Sequence, residues 1–159
     1  MIKQFYADLA RGKEAEKIVL AALEEKYPQY RFADVSDVVS CRHRGDITVT
    51  NALGEIKFIE VKDDSRICDT HNVLCEECNW FDDTSSFVDG YMYSNYELFA
   101  VLSRAEKKIY LIDFSVMKKI YKDKGNYKVI PHKEQVCYCY LLPLGEIEKA
   151  GGMIREIYF

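Results

Sequence analysis

Long apolar runs, a large excess of charge of one sign and abundant proline are all missing from this 159-residue chain. The longest apolar run covers residues 18–23 and is far short of the roughly 20 residues that span a bilayer, which excludes a membrane-spanning helix. No basic and apolar signal peptide opens the sequence, so we expect a cytoplasmic protein with no membrane partner. Three prolines and 48% hydrophobic residues exclude a disordered or low-complexity chain.

Basic residues are not in excess either. Lysine and arginine number 22 against 26 aspartates and glutamates, which leaves a net charge of −4. This balance argues against a protein that holds nucleic acid by bulk electrostatic attraction alone. It leaves open a metal-assisted site with local basic patches.

The residues that are present indicate one folded domain over residues 1–159, because a chain of this length can bury a core without disulfides. The order of amphipathic and β-branched segments predicts a mixed αβ fold, with a central mixed sheet flanked by helices. The predicted helices are Phe5–Leu23, a segment capped by Ser115 and stopped by Gly125, and Leu144–Ala150. The predicted strands are Val35–Cys41, Asp46–Thr50, Glu55–Lys62, Asn72–Glu76, Leu98–Ser103, Lys108–Ile112, Tyr127–Ile130 and Val136–Leu142.

Two of these strands form a predicted hairpin that carries the chemistry. If Asp46–Thr50 and Glu55–Lys62 pair around Leu53, then Gly54 falls where a three-residue loop favours a left-handed residue. In that register Asp46 lies opposite Glu60, with their Cβ atoms about 5 Å apart on one face. Lys62 projects from the same face two residues further along.

Facing carboxylates repel each other unless a positive charge lies between them. Oxygen ligands from two acids suit a hard cation, so the pattern predicts a Mg²⁺ or Mn²⁺ site at Asp46 and Glu60. Such an ion polarises a phosphoryl oxygen and lowers the pKa of a bound water, and the Lys62 ammonium can orient that water. The alternative to a metal site is a solvent-exposed ion pair between Glu60 and Lys62 with no catalytic role.

Gly45-Asp46 followed after thirteen residues by Glu60-Val61-Lys62 resembles the active-site motif of the PD-(D/E)XK nuclease superfamily. The resemblance implies a restriction-endonuclease-like core and hydrolysis of phosphodiester bonds, in DNA by preference and as an endonuclease. It assigns the metal to Asp46, Glu60 and the Val61 carbonyl, and the catalytic water to Lys62. The proline of the motif's name is absent, since Arg44-Gly45 precedes Asp46.

Two further segments are similar to members of the same superfamily. Gly12-Lys13-Glu14-Ala15-Glu16 resembles a resolvase-like helix that carries a glycine and an acid beside the site, which makes Glu16, rather than Glu14, a fourth catalytic residue. The segment from Thr70 to Glu76 resembles a phage-type strand and implies a nucleic-acid contact at Asn72. Arg42 and Arg44, just before Asp46, either contact phosphates or belong to a polar loop.

Two other functions remain open at this point. Cys68, His71, Cys75 and Cys78 supply four soft ligands within eleven residues, so a structural Zn²⁺ in an interaction domain is an alternative. If Asn72–Glu76 is a strand, however, Cys75 and Cys78 lie on opposite faces. A catalytically inactive member of the fold that binds nucleic acid or protein is the other alternative, and the sequence leaves a homodimer open.

Overall fold

A central sheet with helices on its faces organises the computed structural model, which describes residues 2–41, 44–132 and 135–159. The fold is mixed α and β, as the sequence predicts. The helices are α1 (Ile2–Lys26), α2 (Ile67–Thr70), α3 (Phe114–Lys124) and α4 (Leu144–Lys149). The strands are β1 (Arg31–Asp34), β2 (Ile47–Thr50), β3 (Ile56–Asp63), β4 (Asn72–Phe81), β5 (Ser86–Asp89), β6 (Leu98–Ser103), β7 (Lys108–Asp113), β8 (Asn126–Pro131), β9 (Gln135–Pro143) and β10 (Met153–Tyr158).

Six strands form the central sheet in the order β1-β2-β3-β6-β7-β10. Neighbouring strands are antiparallel except β3 and β6, which are parallel and pair Glu60 with Phe99. One face of the sheet packs against α1, and the other packs against α3, α4 and part of a second sheet. The middle strand β3 is therefore covered on both sides, and the side chains at its C-terminal end have fixed surroundings.

The β2–β3 hairpin has the predicted register. Ile47 pairs with Ile59 and Thr50 pairs with Ile56, which centres the turn on Leu53. Gly54 adopts a φ of 81°, in the left-handed region that glycine tolerates without cost. The Asn51 side chain closes the turn by accepting the backbone N–H of Leu53 and of Glu55. Local turn chemistry thus fixes which residues of the two strands face each other.

The helix α1 extends the predicted Phe5–Leu23 segment at both ends. It buries Ala15, Val19, Ala22 and Leu23 against the central sheet. Burial of such apolar side chains contributes about 1.5 to 3 kcal/mol for each large one, so packing, rather than intrinsic propensity, holds the helix in place. No helix among the described residues is both long enough and apolar enough to cross a membrane.

A second sheet, with strand order β5-β4-β9-β8, is the main feature that the sequence does not predict. The segments predicted as Asn72–Glu76 and Val136–Leu142 are strands, but they pair with each other, from Asn72 opposite Pro143 to Phe81 opposite Gln135. The partners are more than 50 residues apart in sequence, so no local pattern reports the pairing. A β-bulge between Glu76 and Cys78 further interrupts the alternation of β4.

Two local predictions are wrong and one further strand is not predicted, each for an identifiable reason. Val35–Cys41 is not a strand, because the Asp34 carboxylate accepts the backbone N–H and the hydroxyl of Ser36 and turns the chain. Asp113, rather than Ser115, caps α3 by accepting the N–H groups of Ser115 and Val116. The strand β10 was missed because only Ile157 within it is buried, which gives no alternating pattern.

Gly45 should be the least replaceable glycine of the hairpin. Its φ is 125°, and an added Cβ would lie 2.8 Å from the Ile59 carbonyl oxygen, a backbone atom that cannot move aside. We expect Gly45→Ala to lower the free energy of unfolding by about 2 kcal/mol or more. Gly54→Ala, at a left-handed position where a Cβ has open space, should cost only about 1 kcal/mol. Urea denaturation measures both values, and equal costs would contradict the close approach at Gly45.

Candidate active site

Asp46 is held at the start of β2 by the backbone of β3. Its N–H donates to the Ile59 carbonyl at 2.9 Å, and its carboxylate Oδ2 accepts the Val61 N–H at 2.9 Å. These bonds place the carboxylate across from the Glu60 position, as the hairpin register predicts. One carboxylate oxygen is therefore committed to the backbone.

Glu60 and Lys62 lie two residues apart on β3 and share a face, as the sequence predicts. Lys62 Nζ is 2.7 Å from Glu60 Oε1, and the Glu60 side chain is only 16% exposed. Lys62 Nζ also lies 5.1 Å from the centre of the Tyr91 ring. Burial disfavours the ammonium, but the Glu60 charge and hydrogen bond outweigh burial, so the pKa of Lys62 is raised and the side chain is a cation.

The neighbouring carboxylate of Glu60 makes ionisation of Asp46 unfavourable. Burial and the negative charge of Glu60 raise the pKa of Asp46 from 3.8 to about 7, although the Val61 N–H acts in the opposite direction. Glu16 adds a third negative charge that acts in the same direction, while Lys62 opposes it. The site therefore concentrates more negative charge than the nearby protein cations neutralise.

Glu16 reaches this site from α1, whereas Glu14 does not. Glu16 lines the same cleft as Asp46 and Glu60, and its side chain is 12% exposed. Its Oε2 atom is buried and lies 3.3 Å from Lys13 Nζ, yet it accepts no hydrogen bond from the described residues. Glu14 points away, is 64% exposed and pairs with Arg104.

The cleft between α1 and the end of β3 has a volume of about 350 Å³. Its lining residues are Asp8, Arg11, Gly12, Glu16, Asp46, Glu60, Val61, Lys62 and Asp63. It is open enough to admit a backbone phosphate. Among the described residues, no three histidine, cysteine or acidic side chains already form a cage that could hold a metal ion. A Mg²⁺ ion needs less, because it keeps several waters and takes one or two carboxylates from the protein.

Arg11, Asp63 and Arg104 form a part of the site that the sequence does not predict. Asp63, the residue after Lys62, is the last residue of β3, and its side chain is 6% exposed. Both of its carboxylate oxygens bond to Arg11, and Arg104 Nε donates to one of them at 2.7 Å. Separations of 52 and 41 residues explain why no motif revealed the network.

Of the three residues predicted to contact nucleic acid, the two that the structure describes do not line the cleft. Arg42 lies outside the described residues. Arg44 is exposed, and its guanidinium stacks 4.3 Å from the centre of the Phe58 ring. Asn72 begins β4 and lines a separate groove of about 440 Å³ between the two sheets. Lys62 and Asp63 line both cavities, so the groove adjoins the cleft.

The four candidate zinc ligands are spread over different surroundings. Cys75 is fully buried in the core, and burial raises the pKa of its thiol far above the ordinary value, which disfavours the thiolate that binds metal. Cys68 lies in α2, and Cys78 follows the bulge of β4. His71 has a left-handed backbone conformation at the C-terminus of α2. The zinc hypothesis stays a prediction for metal analysis of the purified protein to test.

The sequence matches no protein-family model and no curated protein. Among solved structures, the fold is similar to that of a bacterial homing endonuclease, with a TM-score of 0.47 and 11% sequence identity. The match covers 79% of this chain and 74% of that enzyme. At this level the similarity supports no conclusion about function, which has to be inferred from the side chains of the cleft.

The raised pKa of Asp46 predicts how the stability of the metal-free protein depends on pH. Between pH 3.8 and about 7 the folded protein binds a proton at Asp46 that the unfolded chain does not, so the free energy of unfolding should fall as pH rises through this range. Asp46→Asn keeps an acceptor for the Val61 N–H but cannot ionise. Thermal or urea melts from pH 4 to 8 measure the difference in stability between the wild type and Asp46→Asn. The variant should become more stable relative to the wild type as the pH approaches 7. Parallel pH profiles would contradict the buried carboxylate pair.

Proposed function

We propose that this protein is a divalent-metal-dependent nuclease of the PD-(D/E)XK type that hydrolyses phosphodiester bonds in DNA. The observation that carries the proposal is the convergence of Asp46, Glu60 and Lys62 in one open cleft, with Glu16 beside them. The order and spacing of the first three residues follow the superfamily motif, and the fold provides the mixed sheet that the motif implies.

The donor set of the cleft fits a hard divalent cation. Asp46 and Glu60 provide carboxylate oxygens from adjacent strands, and the Val61 carbonyl is the backbone oxygen that would complete the protein ligands. The buried Glu16 Oε2 has Lys13 Nζ at 3.3 Å but no well-aligned hydrogen bond among the described residues, so an ion or its water would give it a further partner. When bound, the ion supplies a Lewis acid for the phosphoryl oxygen and an acidified water.

The protein residues have separate tasks in this proposal. Asp46 and Glu60 hold the ion, and the Val61 N–H keeps Asp46 oriented. Lys62 lies on the same face as Glu60 and is charged, so its ammonium can orient the attacking water and stabilise the negative charge that develops on the phosphoryl group. Glu16 acts from α1 on the ion or on its water.

One experiment tests the proposal against its alternatives. Purified protein is incubated with supercoiled plasmid, linear duplex, single-stranded and branched DNA, each with Mg²⁺, Mn²⁺ or EDTA. We expect cleavage of at least one form that EDTA abolishes, and nicked or linear products if the enzyme is an endonuclease. DNA binding without cleavage would indicate the inactive member of the fold, and one zinc per chain with unfolding on chelation would indicate the zinc-stabilised domain.

Lys62 separates catalysis from binding. Because its ammonium acts mainly in the transition state, Lys62→Ala should lower the cleavage rate by about 10²-fold, or about 2.7 kcal/mol, with little loss of DNA affinity. Lys57→Ala removes an exposed lysine from the opposite face of β3 and should change neither quantity. Single-turnover kinetics and equilibrium binding measure the two effects. A loss of affinity without a loss of rate would place Lys62 among ordinary phosphate contacts.

Glu16 and Glu14 form a matched pair on α1. If Glu16 contacts the ion or its water, Glu16→Gln should raise the Mg²⁺ concentration needed for half-maximal cleavage by about tenfold. Glu14→Gln removes an acid of the same charge from an exposed position outside the cleft and should leave that concentration unchanged. Titrating Mg²⁺ while measuring the cleavage rate gives this concentration for each variant. Equal small changes in the two variants would indicate that Glu16 has only a structural role.

A further inference from the structure

Arg11 lies at the rim of the cleft with one edge of its guanidinium anchored. Nε donates to Asp63 Oδ2 at 2.8 Å, and Nη2 donates to Asp63 Oδ1 at 3.0 Å. Nη1 makes no hydrogen bond to any described residue, and the side chain is 46% exposed. The two bonds to Asp63 fix the plane of the guanidinium, so its remaining edge is oriented before any ligand arrives.

Asp63 is suited to hold Arg11 because it is buried and ionised. Burial acts to raise the pKa of Asp63, but hydrogen bonds from Arg11 and Arg104 outweigh it and the pKa is lowered. The carboxylate is shared between two guanidinium groups, and the charges of Asp8 and Asp64 also act on Arg11, more weakly than that of Asp63. Arg104 does not line the cleft; it also pairs with Glu14, and its Nη2 donates to the Arg11 carbonyl at 3.4 Å.

Because the cleft is lined mostly by acidic residues, a cation at its rim is needed to attract a phosphate. Its acidic lining would repel a DNA backbone, and the ammonium of Lys62 is bonded to Glu60. Among the residues that line the cleft, Arg11 is the other cation, and its partner Asp63 is not one of the predicted metal ligands. Guanidinium groups match the oxygens of a phosphate and bind them through charge-assisted hydrogen bonds.

We propose that Arg11 is a phosphate-binding residue that contacts a non-bridging oxygen of the DNA phosphodiester in the cleft, and that Asp63 positions it. This inference rests on the proposed nuclease function but concerns binding. It assigns a role to a residue outside the Asp46, Glu60 and Lys62 motif. It also gives Asp63, the residue after Lys62, a reason to be an acid other than metal ligation.

The test compares Arg11→Gln with Lys17→Gln, which removes an exposed cation of the same helix that does not line the cleft. Affinity for fluorescently labelled single-stranded and duplex DNA is measured by anisotropy, with Ca²⁺ as the divalent ion and at several salt concentrations. We expect Arg11→Gln to bind at least about tenfold more weakly, with the salt dependence reduced by about one unit of slope. Lys17→Gln should bind within about twofold of the wild type, and melts of both variants report their folding.

Two more variants test how Asp63 acts. Arg11→Lys keeps the charge but not the planar fork, so it should lose less affinity than Arg11→Gln. If Asp63 acts through Arg11, the double variant Asp63→Asn with Arg11→Gln should bind no more weakly than Arg11→Gln alone. A further loss of affinity in the double variant, equal losses in Arg11→Gln and Lys17→Gln, or unchanged binding of Arg11→Gln would overturn the inference. A wild type that binds DNA through Arg11 but cleaves no tested form would support this contact and overturn the nuclease proposal alone.

Discussion

The repulsion between the carboxylates of Asp46 and Glu60 is the constraint around which the rest of the site is arranged. Both side chains are largely withdrawn from water, and their mutual charge raises the pKa of Asp46 to about 7. The pairing of β2 with β3 and the Val61 N–H prevent the two groups from moving apart. A folded chain that keeps such a pair carries a cost in stability that a bound cation would remove.

The site depends equally on a connection between α1 and the end of β3. The side chain of Asp63 joins Arg11 of the helix to Arg104 of the turn after β6. The same helix carries Glu16 into the cleft five residues further along, while its apolar side packs on the central sheet. Bidentate pairing with a buried carboxylate is more rigid than a single surface ion pair, which is what a precisely shaped cleft requires. The position of Glu16 therefore follows from contacts made by its neighbours.

The sequence predicted the parts of the molecule that local chemistry determines. Gly54 and Asn51 define the hairpin turn, and the turn defines the register that brings Glu60 and Lys62 to the same face beside Asp46. The choice of Glu16 over Glu14 came instead from the resemblance to a resolvase-like helix, and the structure places Glu16 along the cleft and Glu14 outside it. Pairings between distant segments were not predictable in this way. The second sheet pairs β4 with β9, and Asp63 bonds to two arginines that are 52 and 41 positions away from it in the sequence. Contacts between such distant positions leave no local pattern in the sequence.

A calorimetric titration with Mn²⁺ tests most directly whether the carboxylate pair is a metal site. Metal binding requires Asp46 to be ionised, so the wild type should bind Mn²⁺ more tightly at pH 8 than at pH 6 and release about one proton at the lower pH. Titrations in two buffers with different ionisation enthalpies measure the released proton. Asp46→Asn should bind far more weakly and without that proton. Absence of binding by the wild type at both pH values, or the same affinity and proton release in Asp46→Asn, would contradict the account.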